Sequence, residues 1–85
     1  MNNSQKPRVI LPKDPQTYYG STLTVENLQK NLKLYIGEHN RVDEVIVEEI
    51  KFDDKLNSYE IYTDKAILLA GPLTRVAYSS NYKLQ

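Results

Sequence analysis

One histidine, a run of eight carboxylates between positions 43 and 64, and seven tyrosines are the side chains of this chain best suited to chemistry or recognition. His39 stands alone, which removes any multi-histidine metal site and any acid–base pair of histidines. It follows Gly37 in a polar stretch with Glu38, Arg41, Asp43 and Glu44, where a solvated loop histidine is expected. Ser79-Ser80 lacks the glycine-flanked elbow that would present a nucleophile, so a hydrolase triad has no support. The three glycines, Gly20, Gly37 and Gly71, are far apart, so no phosphate-cradling loop exists.

The carboxylates are Asp43, Glu44, Glu48, Glu49, Asp53, Asp54, Glu60 and Asp64. Oxygen ligands of this kind suit Ca²⁺ or Mg²⁺, yet Asp53-Asp54-Lys55-Leu56-Asn57-Ser58 fails as a calcium loop. It has lysine at the third position and serine where the sharp turn needs glycine. A carboxylate pair for glycoside hydrolysis would need a cleft that so small a core does not leave. The segment therefore reads as a solvated face or as a surface for a basic partner, and neither a metal nor a cofactor is expected. Tyrosine joins a large apolar ring to a polar end, which suits both half-buried sheet positions and interfaces. Tyr35 and Tyr59 are expected in the core. Tyr18, Tyr19, Tyr78 and Tyr82 lie in arm and tail segments that no core obviously claims.

With 85 residues, 40% of them apolar and 26% charged, the chain has material for one folded domain. Having no cysteine, it has no disulfide or thiolate zinc site to support it, so it must rely on its core or on a partner. The opening residues Met1 to Lys6 show no secretory pattern and no run is long enough to span a membrane; the expectation is a cytoplasmic protein. Eleven bases balance eleven acids, but residues 41–64 hold three bases against eight acids, and residues 65–85 hold three bases and no acid. That balance argues against direct nucleic-acid binding through Lys6, Arg8, Lys13, Arg75 and Lys83.

The elements that would position these groups are read from hydrophobic spacing. Residues 1–22 contain Pro7, Pro12 and Pro15 and form an extended arm, in which Arg8-Val9-Ile10-Leu11 is apolar enough to dock on a sheet edge. Asp14-Pro15 and Gly20 read as turns. Val25 to Ile36 reads as an amphipathic helix with Thr24 as N-cap, a staple from Leu23 to Leu28 and Gly37 as its end. Val25, Leu28, Leu32, Tyr35 and Ile36 would share about 100° of its circumference, with Leu34 on the exposed side.

Val42 to Phe52 fits helical spacing as well, but Val45, Ile46, Val47 and Ile50 are β-branched and favour a strand. A turn through 53–58 leads to a second strand at Tyr59 to Thr63, in the register that pairs Phe52 with Tyr59, Ile50 with Ile61 and Lys51 with Glu60. A third strand from Ala66 to Gly71 pairs Tyr62 with Ile67 and Ile61 with Leu68, and Thr74 to Tyr78 adds a fourth at an edge.

The fold expected is α+β, one amphipathic helix packed on a three- to four-stranded antiparallel meander. It divides into an arm over 1–22, a domain over 23–79 and a tail over 80–85. The helix would cover Ile46, Ile50, Phe52, Tyr59, Ile61 and Leu68. Val45, Val47, Tyr62, Ile67 and Leu69 would be left on a second apolar face for the arm, the tail or another chain to cover.

The function expected is that of a non-enzymatic protein-interaction module, a small accessory or inhibitory protein of bacterial or phage type. It would self-associate or bind a protein partner through Val47, Tyr62, Ile67 and Leu69, with Glu49 and Asp53 at an acidic rim. The competing expectation is an acidic mimic of nucleic acid that inhibits a DNA- or RNA-processing protein.

Overall fold

A computed structural model describes residues 6–14, 21–38 and 41–79. Expectations that fall on other positions, among them the Gly20 turn, Tyr18, Tyr19, His39, Tyr82 and the polar tail, lie outside the described residues. Among those described there are seven strands: β1 (Arg8–Ile10), β2 (Ser21–Thr24), β3 (Lys33–Glu38), β4 (Arg41–Asp53), β5 (Ser58–Thr63), β6 (Ile67–Ala70) and β7 (Arg75–Tyr78).

The expected α+β fold is overturned, because this is a nearly all-β protein and the stretch from Val25 to Ile36 is not a helix. Only Val25–Asn27 winds, as a single 3-10 turn, and Leu28 leaves it extended at φ −66° and ψ 152°. Asn31 then takes a left-handed φ of 72°, which a continuous helix cannot contain. Thr24 precedes the turn without capping it; the Asn27 side-chain amide donates to the Thr24 hydroxyl at 2.7 Å instead. From Leu32 onward the residues alternate, with Leu32 and Leu34 buried and Ile36 half-buried on one side. Leu34, which helical spacing would expose, is 0% exposed. The helical reading was plausible because Val25, Leu28 and Leu32 reach the core by either route. The strand prevails because β3 completes backbone ladders with β4 on one side and β7 on the other.

The hairpin register expected from sequence is present: Phe52 faces Tyr59, Lys51 faces Glu60 and Ile50 faces Ile61, while β6 sets Ile67 beside Tyr62 and Leu68 beside Ile61. The arm does dock on an edge, with β1 running parallel to β6 and Val9 beside Leu68. The expected edge strand β7 is instead internal, lying between β3 and β2.

The sheet order is β1-β6-β5-β4-β3-β7-β2, and its 13-residue strand β4 serves both halves. Its first part pairs with β3 and its last part with β5, the change coming at a bulge. Val47 lies opposite Thr63 and Glu49 opposite Tyr62, so Glu48 is the extra residue. An extra residue bends the strand and inverts the alternation beyond it. Val45 and Val47 therefore point inward before the bulge, and Ile50 packs on the same core after it. This corrects the expected second apolar face, since Val45 and Val47 are core residues and only Tyr62, Ile67 and Leu69 remain outside. Ile46, expected in the core, is only half-buried.

Side chains fasten the bend. Asp64 holds both backbone groups of Ile46, accepting its N–H on Oδ1 at 2.8 Å and donating its own N–H to the carbonyl at 3.2 Å. Thr63, wholly buried, donates its hydroxyl to the Ala66 carbonyl at 2.7 Å and accepts the Ala66 N–H at 2.9 Å, closing the β5–β6 turn. At the other end of β4, Gly37 pairs with Val42 at a φ of 123°, where a Cβ would run into the Arg41 carbonyl oxygen.

Candidate protein-binding surface

The outer side of β1, β6, β5 and β4 carries two rows of side chains. One row is Ile10, Leu69, Glu60 and Lys51, and the other is Arg8, Ile67, Tyr62 and Glu49. The apolar members lie toward β1 and β6. Ile10 is 79% exposed, while Ile67 and Leu69 are half-buried.

Across these rows runs a connected polar lash. The Arg8 guanidinium reaches over β6 to donate to Glu60 Oε2 at 2.8 Å, and the Tyr62 hydroxyl donates to Glu60 Oε1 at 2.7 Å. The Lys51 ammonium stands 5.2 Å from the Tyr62 ring centroid. The Tyr62 hydroxyl, and after it the Arg8 guanidinium, holds the Glu60 carboxyl below its ordinary pKa; the same hydrogen bond pushes the Tyr62 phenol above its own. The lash ties the arm to the sheet and spreads the Arg8 stem toward β5, which reduces the apolar surface left open.

The strand directions bring the C-terminal ends of β1, β6 and β4 and the N-terminal end of β5 to one end of the sheet. All the large apolar residues that stand well exposed among the described residues gather there: Ile10, Phe52, Leu56 and Leu73. Leu56 is 72% exposed in the β4–β5 turn. Asp53 Oδ1 fixes that turn by accepting the N–H groups of Lys55 at 3.0 Å and Leu56 at 3.3 Å, and Asn57 takes a φ of 51°. Phe52 and Tyr59, ring centroids 4.8 Å apart, brace its base. A hollow of about 430 Å³ beside it is lined by Lys51, Phe52, Asp53, Asp54, Lys55 and Glu60. Two lysines and three carboxylates surround one aromatic ring there.

Comparison with protein-family models, with curated proteins and with solved structures finds no match to this chain. The surface must therefore be read from its own geometry.

Of the residues picked from sequence, Glu49, Tyr62, Ile67 and Leu69 do share the outer face. Val47 does not, being 0% exposed and bonded through its backbone to Leu32 and Asn31. Asp53 belongs to the turn it caps. Ile10, Arg8, Lys51 and Glu60 are on the face but were not singled out; the signal was the alternation of Arg8 and Ile10 with Val9 and Leu11, legible only once β1 has a neighbour. The acidic segment is dispersed and partly neutralised, as Glu44, Glu48 and Glu60 pair with Lys33, Lys6 and Arg8 at 3.5, 3.3 and 2.8 Å. Among the described residues no cluster could hold a metal ion, and no helix is long and apolar enough to cross a membrane.

Proposed function

We propose that this is a non-enzymatic protein-interaction module that binds another chain, a second copy or a different protein, through the outer face of β1, β6, β5 and β4 and the adjoining turn end. The observation that carries this reading is Ile10, an isoleucine with 79% of its surface exposed beside half-buried Ile67 and Leu69. Four strands about 4.8 Å apart make a face roughly 15 Å wide. Two rows of side chains on it offer a few hundred Å², less than the roughly 800 Å² per partner of a standard interface. Leu56, 72% exposed in the adjoining β4–β5 turn, extends the apolar area at the end of the sheet. Ion-paired Glu44, Glu48 and Glu60 weigh against the nucleic-acid mimic, which needs free carboxylates in a phosphate-like array. We place the protein in the cytoplasm, since a cysteine-free fold that stands on its core needs no oxidising compartment.

Sedimentation across a concentration series tests the self-associating form directly. A dimer should dissociate in Ile10→Asp and in Leu69→Ser, with the circular dichroism unchanged and with Lys30→Ala as a control away from the face. A dimer equally stable in both variants would place the contact elsewhere. A monomer at every concentration would reserve the face for a different protein.

A further inference from the structure

The arm that carries β1 is the element least committed to its own sheet. β1 is three residues long and, among the described residues, pairs with β6 only. Its ladder is flanked by the Ile67 N–H donating to the Pro7 carbonyl and the Leu11 N–H donating to the Leu69 carbonyl, each at 2.9 Å. Leu11 is buried and Val9 half-buried, while Arg8 and Ile10 are exposed. Further along, the Lys13 carbonyl accepts the Arg75 N–H at 2.9 Å. The remaining hold is by basic side chains at the surface: Lys6 Nζ donates to the Thr63 carbonyl at 2.6 Å and to Glu48 at 3.3 Å, and Arg8 donates to Glu60 at 2.8 Å. Surface ion pairs add little stability, so a short strand with one neighbour opens well before the rest of the sheet.

What the arm occupies is a slot specific for its own sequence. β6 pairs with an extended strand, Glu48 and Glu60 take basic residues two positions apart, and the core takes Val9 and Leu11. A second copy of the chain supplies the identical segment. Contacts with the slot are then the same within one chain and between two, so they cancel, and the connection to the rest of the chain sets the balance. The chain bends at Lys13 and Asp14. Asp14 precedes Pro15, whose ring pushes the residue before it toward extended backbone. A straighter connection suits that preference better and carries the arm away from its own sheet.

We propose that residues 6–13 exchange between two copies of this chain, the arm of each lying along β6 of the other in an arm-swapped dimer. Glu48 and Glu60 select the arm by charge in either position, and release of the arm is the slow step between monomer and dimer. This goes beyond the sheet-face reading, which needs no opening of the arm.

The experiment refolds an equal mixture of isotope-labelled and unlabelled full chain from denaturant at high protein concentration, isolates the dimer by gel filtration and records isotope-filtered NOEs. Contacts between Val9 of one chain and Leu68 of the other should appear. These two residues pair on the core side of β1 and β6, so a contact through the outer face does not bring them together across molecules. Lys6→Ala loosens the arm equally in monomer and dimer; it should speed their interconversion several-fold and leave the dimer fraction unchanged. Pro15→Ala should lower the dimer fraction. Ile10→Asp, which dissociates a dimer held by the outer face, should leave the swapped dimer intact, because Ile10 meets the same neighbours in either position. A monomer at every concentration after co-refolding, a dimer whose Val9–Leu68 contacts all lie within one chain, or a dimer lost in Ile10→Asp would each overturn the proposal.

Discussion

Glu60 and Tyr62 show how a surface cluster acquires a defined titration. Glu60 must be ionised to accept from both the Tyr62 hydroxyl and the Arg8 guanidinium, and Tyr62 must keep its proton to donate. A carboxyl lowered on folding contributes stability above its ordinary pKa, and that contribution is lost as pH falls through the lowered value. A phenol raised on folding contributes below its ordinary pKa and loses the contribution as pH rises through the raised value. The lash is thus intact across neutral pH and opens only at the acid and alkaline extremes. The Glu60 carboxyl, followed by NMR, should titrate below an ordinary glutamate. Tyr62→Phe and Arg8→Ala should each raise its midpoint, because the hydroxyl and the guanidinium both favour the charged carboxyl. An unmoved midpoint in Tyr62→Phe would show that the hydrogen bond does not form in solution.

At the scale of elements the bulge at Glu48 decides which residues become core. It lets one strand send Val45 and Val47 inward and then Ile50, so β4 contributes to both halves of the sheet. Deleting Glu48 should restore simple alternation, turning either Val45 and Val47 or Ile50 out of the core. Each buried aliphatic side chain is worth roughly 1.5–3 kcal/mol, a large share of the roughly 5–15 kcal/mol that holds a domain folded. Denaturant unfolding should find the deletion unfolded or nearly so, whereas Glu48→Ala, which loses only the exposed Lys6 pair, should cost at most about 1 kcal/mol. Equal stability of the two variants would mean that the bulge is dispensable.

For the whole molecule the long-range pairings set the folding kinetics. β1 must find β6 across more than fifty residues, with Arg8 beside Ile67, and β2 must find β7 with Ser21 beside Tyr78. Sheets built from such distant pairs fold in roughly milliseconds to seconds, far slower than helical domains of this size. Stopped-flow refolding should fall in that range, and far-ultraviolet circular dichroism should lack the helical double minimum. Microsecond folding with a helical spectrum would restore the helix that spacing suggests over Val25 to Ile36.

The sequence by itself determined the features that nearest neighbours control. The β4–β5–β6 meander and its register were legible because Ile50 with Ile61 and Lys51 with Glu60 match only in one alignment. The docking of Arg8 to Leu11 was legible from prolines that exclude a helix and from apolar residues that need cover. Tyr62, Ile67 and Leu69 share the outer face that alternation predicts, because β5 and β6 pair with each other without a bulge. What tertiary structure decided were the choices that are nearly degenerate locally. Leu28, Leu32 and Ile36 satisfy a helical and an extended period about equally, and only the ladders offered by β4 and β7 select the strand and bury Leu34. Val47 went to the core because one extra residue at Glu48 inverted the face. A bulge carries little local signal, since its energy comes from the two halves of the sheet that it allows to close over one core.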